Sequence, residues 1–537
     1  MVDAREWRWA IAASAAALLL ASLPYLVGWG LQTDELRFGG FVYAVEDGYS
    51  YLAKMRQGAE GAWLFHIAYT PEPHPGALFF PFHLLLGKLA ARLPGADLTA
   101  RLVCTYHAAR LLLGAVLLLT AYRFLAAFTA QLAVRRLAFL LLACGGGLGW
   151  LLVALGQPGW LGSLPLDFIL PEGFTFLVLY AFPHIALARA LLLWSILFLL
   201  RAWSIGARPA SPSASLRWAA LAGIAWLLMG LIVPFYVPVA WAVAGAMWLA
   251  LSARKWQPAW REAGAAALAA LFSAPIVAYS VWIFTTDPVY AAWSAQNRIL
   301  SPHPLHYLAA FGVPLTLTVA TAHRVWRADG PGWAALAWIA VVPLLVYLPF
   351  NLQRRLVEGV QVPLSLLAAQ AVLSVAATAP AVRRAAALAA LLALSLPTNA
   401  LLVGGNCLTL LPRPAPVFRD ANELTALDWL SGQTRPDDVV LAAYETGNYL
   451  PARVGARAFV GHGPESVRVD EKRMLVARFF DATTSDDWRQ DLLATYGVDW
   501  LLWGPAERAV GDFDPRTALY LQPAYQNDTL TILRVIE

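Results

Sequence analysis

The chain has 537 residues, of which 59% are apolar and only 14% are charged, whereas an average soluble domain is about 25% charged. The apolar residues gather in blocks of roughly twenty, the length of helix that crosses a bilayer core. The net charge of +5 comes from short basic clusters between those blocks, which is the pattern of a polytopic membrane protein and not of a nucleic-acid-binding one.

Eleven transmembrane helices are predicted from the apolar blocks, with Pro234 and Pro238 placing a hairpin between the fifth and the sixth. The predicted spans cover approximately residues 9–31, 103–123, 136–156, 176–202, 217–233, 236–252, 263–284, 304–322, 332–349, 361–378 and 385–404. With eleven spans, the basic clusters at Arg135, Arg254 and Arg383 share one side of the membrane, which the positive-inside rule makes the cytoplasm. The sequence therefore predicts a cytoplasmic N-terminus and an extracytoplasmic C-terminus.

Two parts of the chain lie outside the predicted spans. One is a long first outside loop, residues 32–102, and the other begins at about Pro412, where predicted strands alternate with helices. Strands are predicted at Asp438–Ala443, Val498–Trp503 and Thr529–Val535, the last as an edge strand, and helices at Ala426–Leu430 and Glu471–Phe480. We therefore expect a transmembrane domain over residues 1–411 and a small extracytoplasmic α/β domain over residues 412–537.

The first outside loop carries two pairs of acids, Asp34 with Glu35 and Glu46 with Asp47. A carboxylate pair near the outer membrane face can serve as a general base or bind a cation. The alternative is that a solvated loop simply carries acids, and this alternative is stronger for the first pair, which precedes a flexible Gly-Gly sequence. The second pair precedes a run of aromatic residues that includes Tyr49 and Tyr51, which suits sugar stacking or interfacial anchoring.

Four further residues are candidates on the outer side of the predicted membrane domain. Glu172 begins a helix in the second outside loop, although an acid after proline is also a common helix start. Arg189 lies within an apolar helix, where an ionisable residue suggests a function unless it snorkels or pairs with an acid. Arg354 and Arg355 lie in an outside turn against the positive-inside rule, where they suit a lipid phosphate or act as an interfacial anchor.

Polar residues also gather in two loops of the tail. The sequence ETGNY contains Glu445 and Asn448, and the sequence GHGPES contains His462 and Glu465. Polar loop residues usually have no specific function, but these would contact an acceptor if they have one.

Two stretches resemble a known family. The sequence EDGYSYLAKMRQG, which begins at Glu46, is similar to the first loop of uncharacterised bacterial members of the GT-C superfold of membrane glycosyltransferases, and ALDWLSGQTRPDDVVLAAYETGNYL resembles their tail domain. Relatives in this superfold include protein mannosyltransferases and the lipid A aminoarabinose transferase. The resemblance implies a GT-C fold in a bacterial inner membrane and transfer of a hexose or pentose from a polyprenyl-phosphate carrier. The family's acid pair usually sits nearer the first span, where Asp34 and Glu35 lie, so both pairs stay open.

The predicted activity is an inverting glycosyl transfer, with inversion taken from the resemblance. Asp47 is the predicted base, because its flanking sequence carries the resemblance, and Glu46 or Glu172 would orient the acceptor or bind an optional Mg or Mn ion. The remaining predicted roles are donor-phosphate binding by Arg189, Arg354 and Arg355, and contact with a protein, lipid or glycan acceptor by Tyr49, Tyr51, His462 and Glu465. The alternatives are a transporter or flippase of lipid-linked substrates, for which no paired halves are seen, and a non-catalytic membrane scaffold.

Overall fold

The structure, a computed structural model, describes residues 2–205, 211–377 and 380–536. Its contacts divide the chain into two compact units, which are described separately. Unit 1 comprises Met1–Leu23, Ala108–Val281 and Ile299–Gly405, and unit 2 comprises Pro24–His107, Trp282–Arg298 and Asn406–Glu537. The predicted division at residue 412 stays a prediction, while the contacts place the predicted first loop in the same unit as the tail.

Helices make up most of the chain. In order they are α1 Ala4–Leu31, α2 Val45–Ala59, α3 Pro81–Ala91, α4 Leu98–Phe128, α5 Leu132–Cys144, α6 Gly149–Ala154, α7 Leu166–Ile169, α8 Thr175–Ala181, α9 Pro183–Ala202, α10 Pro212–Ile232, α11 Tyr236–Lys255, α12 Trp260–Thr286, α13 Pro288–Gln296, α14 Leu305–Arg327, α15 Gly332–Leu345, α16 Gln361–Ala377, α17 Ala381–Ser395, α18 Pro397–Thr409, α19 Ala421–Ser431, α20 Tyr444–Arg453, α21 Val469–Phe480, α22 Asp486–Tyr496 and α23 Pro505–Val510. Short 3-10 helices lie at Trp160–Gly162, Gln353–Val357 and Pro515–Thr517.

Eight helices in the described part of the chain are long and apolar enough to cross a membrane. They are α1, α4, α9, α10, α11, α12, α14 and the segment Gln353–Ser374, and the pair α17 and α18, bent by 41°, makes a ninth if it is one span. The expected count of eleven is therefore too high by length and composition. Three predicted spans account for the difference from eight: residues 136–156 are interrupted after Cys144, residues 332–349 form a helix of only 14 residues, and residues 385–404 are divided between α17 and α18.

Unit 1 is a bundle of packed apolar helices. The pairs α9 with α10, α5 with α16, α11 with α15, and α14 with α16 lie against each other. One helix break follows from local chemistry: Pro183 begins α9 one residue after α8 ends, because proline cannot continue the hydrogen bonding of the preceding turn. The glycines after Cys144 allow a close approach, since a Cβ on Gly147 would lie 2.3 Å from the Ala310 carbonyl oxygen. The predicted hairpin between α10 and α11 is confirmed.

Unit 2 contains a five-stranded mixed sheet. Its strands are β3 Val439–Leu441, β4 Arg457–Ala458, β5 Val498–Trp503, β6 Leu521–Gln526 and β7 Thr531–Val535, in the order β4-β3-β5-β7-β6. Strand β3 is parallel to β4 and β5, whereas β7 is antiparallel to β5 and β6. The expectation that β7 is an edge strand is wrong, because β6 covers it.

The predicted first loop and the tail share one hydrophobic core in unit 2. Strand β1 (Leu36–Phe38) pairs with β2 (Phe418–Asp420), and helix α2 packs against both α3 and α20. Buried side chains of α2, such as Leu52, lie in the same cluster as Leu427 of α19 and Leu502 of β5. The loop is therefore a structured layer on the tail's sheet, which fixes the position of α2.

Helices α2 and α3 touch through glycines. A Cβ on Gly87 would lie 1.7 Å from the Met55 carbonyl oxygen, and one on Gly58 would lie 2.0 Å from that of Leu84. We expect Gly87→Ala to lower the free energy of unfolding by about 1–3 kcal/mol, because the backbones must separate, and to lower the midpoint of thermal unfolding in detergent. Gly264→Ala in α12, where a Cβ meets nothing within 4 Å, is the control and should not destabilise the protein.

Candidate functional site

The predicted site residues form two groups, one in each unit. The group in unit 2 is built on the first turn of α2 and on the loop after β4. The group in unit 1 is built on α9, on the loop before α8 and on the turn before α16.

Asp47 lies in the first turn of α2, which begins after Ala44 in the left-handed backbone region (φ 47°). A negative charge there is stabilised by the helix dipole. An Oδ1 atom of Asp47 lies 3.2 Å from Nε2 of His462, and 45% of the Asp47 side chain is exposed against 4% for His462. Asp47 therefore has a solvent-accessible carboxylate that contacts the buried imidazole of His462.

A buried ion pair lies behind His462. Its Nδ1 is 3.5 Å from Glu465 Oε1, and that carboxylate accepts hydrogen bonds from Lys54 Nζ at 2.6 Å and from Ser50 Oγ at 2.7 Å. Lys54 also donates to Ser50. Burial alone would raise the pKa of Glu465, but the charges of Lys54 and His462 and the two hydrogen bonds lower it. Glu465 is therefore ionised although it is buried.

Glu46, next to Asp47, has a partner of its own. The Tyr444 hydroxyl donates to Glu46 Oε2 at 2.9 Å and accepts from the Gly463 N–H at 2.7 Å. The Arg473 guanidinium lies 3.7 Å above the Tyr444 ring. Burial and the neighbouring Glu46 carboxylate raise the pKa of Tyr444, so this hydroxyl stays a donor. Glu46 and Asp47 therefore both contact residues of the tail.

The expected acceptor contacts are mostly buried. Tyr49 has no exposed surface, its hydroxyl donates to the Pro416 carbonyl oxygen at 2.6 Å, and its ring packs 4.7 Å from that of Tyr449. Tyr49 is therefore part of the core, and its contact with an acceptor stays a prediction. Tyr51 is partly buried and stacks on His83. His462 and Glu465 are buried as well, and they meet Asp47 and Lys54.

The other acid pair has a different environment. Asp34 is fully exposed and lies 3.2 Å from Arg37, and the backbone carbonyl of Glu35 accepts from the Ala421 N–H. Asp34 thus carries a surface ion pair, whereas Asp47 is part of a network that reaches the core.

In unit 1, Arg189 is fully buried and engaged. Its guanidinium makes a bidentate pair with Glu358, at 2.6 and 3.0 Å, and also donates to Thr175 Oγ1 and to the carbonyl oxygens of Pro171 and Glu172. Both side chains have 0% exposure. Arg189 therefore pairs with an acid, the alternative that the sequence left open, and holds the loop before α8 in place. Its contact with a donor phosphate stays a prediction.

Arg355 remains partly accessible. Its Nε donates to Glu172 Oε1, its guanidinium lies 4.7 Å from the Phe235 ring centroid, and 24% of the side chain is exposed. Glu172 is only 2% exposed, and its carboxylate holds the Arg355 guanidinium. Its role in orienting the acceptor or binding a cation stays a prediction. Arg354 is partly buried, and its backbone N–H donates to the Ile299 carbonyl oxygen.

Lys54, Ser50 and Glu358 were not predicted. Asp47, Ser50 and Lys54 follow the spacing i, i+3, i+7, which places them on one face of a helix, and Lys54 is one of few lysines in a chain rich in arginine. The spacing alone could therefore have predicted that these three side chains lie together. Glu358 closes the turn that contains Arg354 and Arg355, but its partner Arg189 is 169 residues away.

The described residues contain no candidate metal site, because nowhere among them do three or more His, Cys, Asp or Glu side chains lie close enough together to bind an ion. In unit 2 the acids Glu46 and Asp47 contact Tyr444 and His462 instead. No ligands are therefore identified for the optional Mg or Mn ion that was expected from the sequence.

No family model matches the sequence, and no curated protein is similar to it. Solved structures of the Archaeoglobus fulgidus oligosaccharyltransferase do match its fold. The apo form has a TM-score of 0.56 at 14% identity, covering 96% of this chain and 73% of the other. The form tethered with an acceptor peptide containing the NVT sequon also gives 0.56 at 14% identity, with 92% and 69% covered.

Two further structures of that protein agree. One is its complex with an inhibitory peptide and a dolichol-phosphate, with a TM-score of 0.54 at 14% identity and 94% and 70% covered. The other is a complex with Zn and sulfate, with a TM-score of 0.52 at 14% identity and 92% and 68% covered. At this identity the similarity concerns the fold. The chain is a helical multi-pass membrane protein with a small C-terminal mixed sheet, and its fold is similar to that of the archaeal oligosaccharyltransferase AglB.

Proposed function

We propose that this protein is a GT-C-type glycosyltransferase that moves a hexose or pentose from a polyprenyl-phosphate donor to a protein, lipid or glycan acceptor. The reaction takes place at the outer face of a bacterial inner membrane, with the N-terminus in the cytoplasm and the tail outside. The observation that carries the proposal is the accessible Asp47 carboxylate held by buried His462. The fold similarity to an oligosaccharyltransferase supports the same class of reaction.

In the proposed reaction, Asp47 accepts the proton of an acceptor hydroxyl. The acceptor oxygen then forms a bond to the anomeric carbon of the sugar, and the bond from that carbon to the phosphate oxygen breaks. Polyprenyl phosphate leaves with the bonding electrons. A single displacement of this kind inverts the anomeric centre, which agrees with the inversion implied by the family resemblance.

The leaving phosphate gains negative charge as its bond to the sugar breaks, so a fixed positive charge beside it lowers the barrier. In unit 1, Arg355 has the properties for this role, since Glu172 and Phe235 hold its guanidinium while part of it stays accessible. We assign the donor phosphate to Arg355, with Arg354 beside it in the chain, and leave Arg189 out because it is buried.

We expect Arg355→Ala to raise the KM for the lipid donor about 10- to 100-fold, the effect of losing a hydrogen bond to a charged group. The substitution should also lower kcat, because the guanidinium stabilises the charge that develops on the leaving phosphate. This substitution also leaves the buried Glu172 carboxylate without that arginine. The double variant Arg355→Ala with Glu172→Gln separates the two effects, since it removes the extra charge. Arg324→Ala, on a predicted cytoplasmic turn, is the control and should leave the KM unchanged. An unchanged KM in the double variant would remove Arg355 from the donor site.

The function itself is tested with purified protein in liposomes that contain a tagged polyprenyl-phosphate sugar and candidate acceptors. Appearance of the tag on an acceptor supports a transferase. Movement of the intact lipid between leaflets without transfer would identify a flippase, and neither activity would favour a scaffold. Parallel reactions with EDTA, and with Mg or Mn added back, determine whether a divalent cation takes part.

A further inference from the structure

We propose that His462 is a positioning residue for the transfer reaction: it holds the Asp47 carboxylate in place and ionised, and it is itself held by the buried Glu465–Lys54 pair. The inference rests on the proposed function, because it explains how the base of that reaction is prepared. It replaces the expectation that His462 and Glu465 contact the acceptor.

The first argument is the placement of the two ring nitrogens. Nε2 lies 3.2 Å from a carboxylate oxygen of Asp47, and Nδ1 lies 3.5 Å from one of Glu465. A neutral imidazole has only one N–H, and its other nitrogen would turn a lone pair toward a negative oxygen. A charged imidazolium has an N–H for each carboxylate. The geometry therefore favours a charged ring between the two acids.

The second argument is the order of charges. Starting from the surface, Asp47, His462, Glu465 and Lys54 alternate in sign, and each touches the next. Opposite charges in contact satisfy one another in a buried setting, where an isolated charge is strongly unfavourable. Lys54 fixes Glu465 as an anion, Glu465 favours the imidazolium, and the imidazolium favours an ionised Asp47. A base must be ionised to accept a proton.

The third argument is that the ring cannot easily move. Ser466 Oγ accepts from the backbone N–H groups of Gly461 and His462, at 3.0 and 3.2 Å. The Tyr69 ring lies 5.5 Å from the imidazole, and a Cβ on Gly461 would lie 2.3 Å from the backbone of Gly447. A rigid partner holds Asp47 in one orientation, which matters because small misplacements of a catalytic group lower rates steeply.

The titratable groups facing the ring come from three elements. Asp47 and Lys54 belong to α2, Glu465 belongs to the ring's own loop, and Tyr69 lies in the segment between α2 and α3. Glu46 is bound by Tyr444 and adds a second negative charge beside Asp47. Three carboxylates and one ammonium thus surround this ring.

The test compares three variants by kcat, KM and pH–rate profile. We expect His462→Ala to lower kcat on the order of 100-fold with little change in either KM. His462→Gln, whose amide can still donate to Asp47 but carries no charge, should recover most of kcat at neutral pH and move the acid limb to higher pH. Glu465→Gln removes a negative charge facing the ring, so the alkaline limb should move to lower pH.

Other results would overturn the inference. A raised acceptor KM with unchanged kcat in His462→Ala would make His462 a binding residue. Identical pH limbs in all variants would reduce the network to a structural role. A readout without catalysis separates this inference from the proposed function: NMR of ring-labelled histidine, with the His462 signal identified by its loss in His462→Gln. In Asp47→Asn the ring should lose its proton at lower pH. If the ring does so in a protein that shows no transferase activity, the proposed function fails but the Asp47–His462 charge pair is supported. If the pH at which the ring loses its proton is the same in Asp47→Asn, the charge pair itself is refuted.

Discussion

Replacing Asp47 with asparagine should lower kcat for sugar transfer by about two to four orders of magnitude, the usual contribution of a general base. The amide has nearly the shape of the carboxylate but cannot take a proton from the acceptor hydroxyl. Because 45% of the side chain is exposed, the substitution should change the midpoint of thermal unfolding little. The measurement is the initial rate of tag transfer at saturating donor, with unfolding followed in the same detergent.

Asp34→Asn is the matched control, since it makes the same chemical change in the other acid pair of the same predicted loop. Asp34 is exposed and paired with Arg37, so its substitution should leave kcat within about twofold, as expected for a surface ion pair that contributes little. The opposite result, with Asp34→Asn inactive and Asp47→Asn active, would assign catalysis to Asp34 and Glu35. Loss of activity in both would indicate that the two pairs act together.

Hydropathy located the apolar segments of the fold but not their continuity. Helices α10 and α11 could be separated in advance, because Pro234 and Pro238 identify a turn. The interruption after Cys144 was less visible, since three glycines within an apolar block fit either close helix packing or a break. The predicted number of spans was therefore too high where a helix ends inside an apolar block. Where such a helix ends depends on tertiary contacts, such as that of Gly147 with Ala310.

In the tail, burial determined which strands could be recognised. Strands β3 and β5 are nearly continuous apolar runs, and both were predicted. Strand β6 has the sequence LQPAYQ and is mostly exposed, so it has neither the apolar run nor the clean alternation that indicates a strand. Without β6, the neighbouring β7 looked like an edge, although Pro523 within β6 is itself typical of an edge strand.

The site shows the same limit for polar residues. Asp47 and His462 were both recognised as candidates, but they are 415 residues apart, so nothing in the sequence indicated that they meet. Local spacing could have linked Asp47 to Lys54, since both lie on α2. The sequence can thus predict which polar residues lie together on one helix. The distant partner that gives a residue its role is known only from the fold.

Removing one member of the Arg189–Glu358 pair should lower the free energy of unfolding by about 3–5 kcal/mol, because it leaves an uncompensated charge in the interior. Both side chains are fully buried and joined by two hydrogen bonds. Arg189→Met also deprives Thr175 and the carbonyls of Pro171 and Glu172 of a donor. Unfolding of purified protein in detergent, followed by intrinsic fluorescence, measures the loss.

The double variant Arg189→Met with Glu358→Leu separates charge from packing. Replacing both partners of a buried ion pair by apolar residues is often nearly neutral, so the double variant should be more stable than either Arg189→Met or Glu358→Ala. Lys255→Met breaks an exposed pair with Glu262 and should change stability by less than about 1 kcal/mol. If Arg189→Met instead keeps full stability and loses donor binding, Arg189 is a phosphate ligand after all. Stability and donor affinity measured on the same sample therefore decide between the role predicted from the sequence and the role seen in the fold.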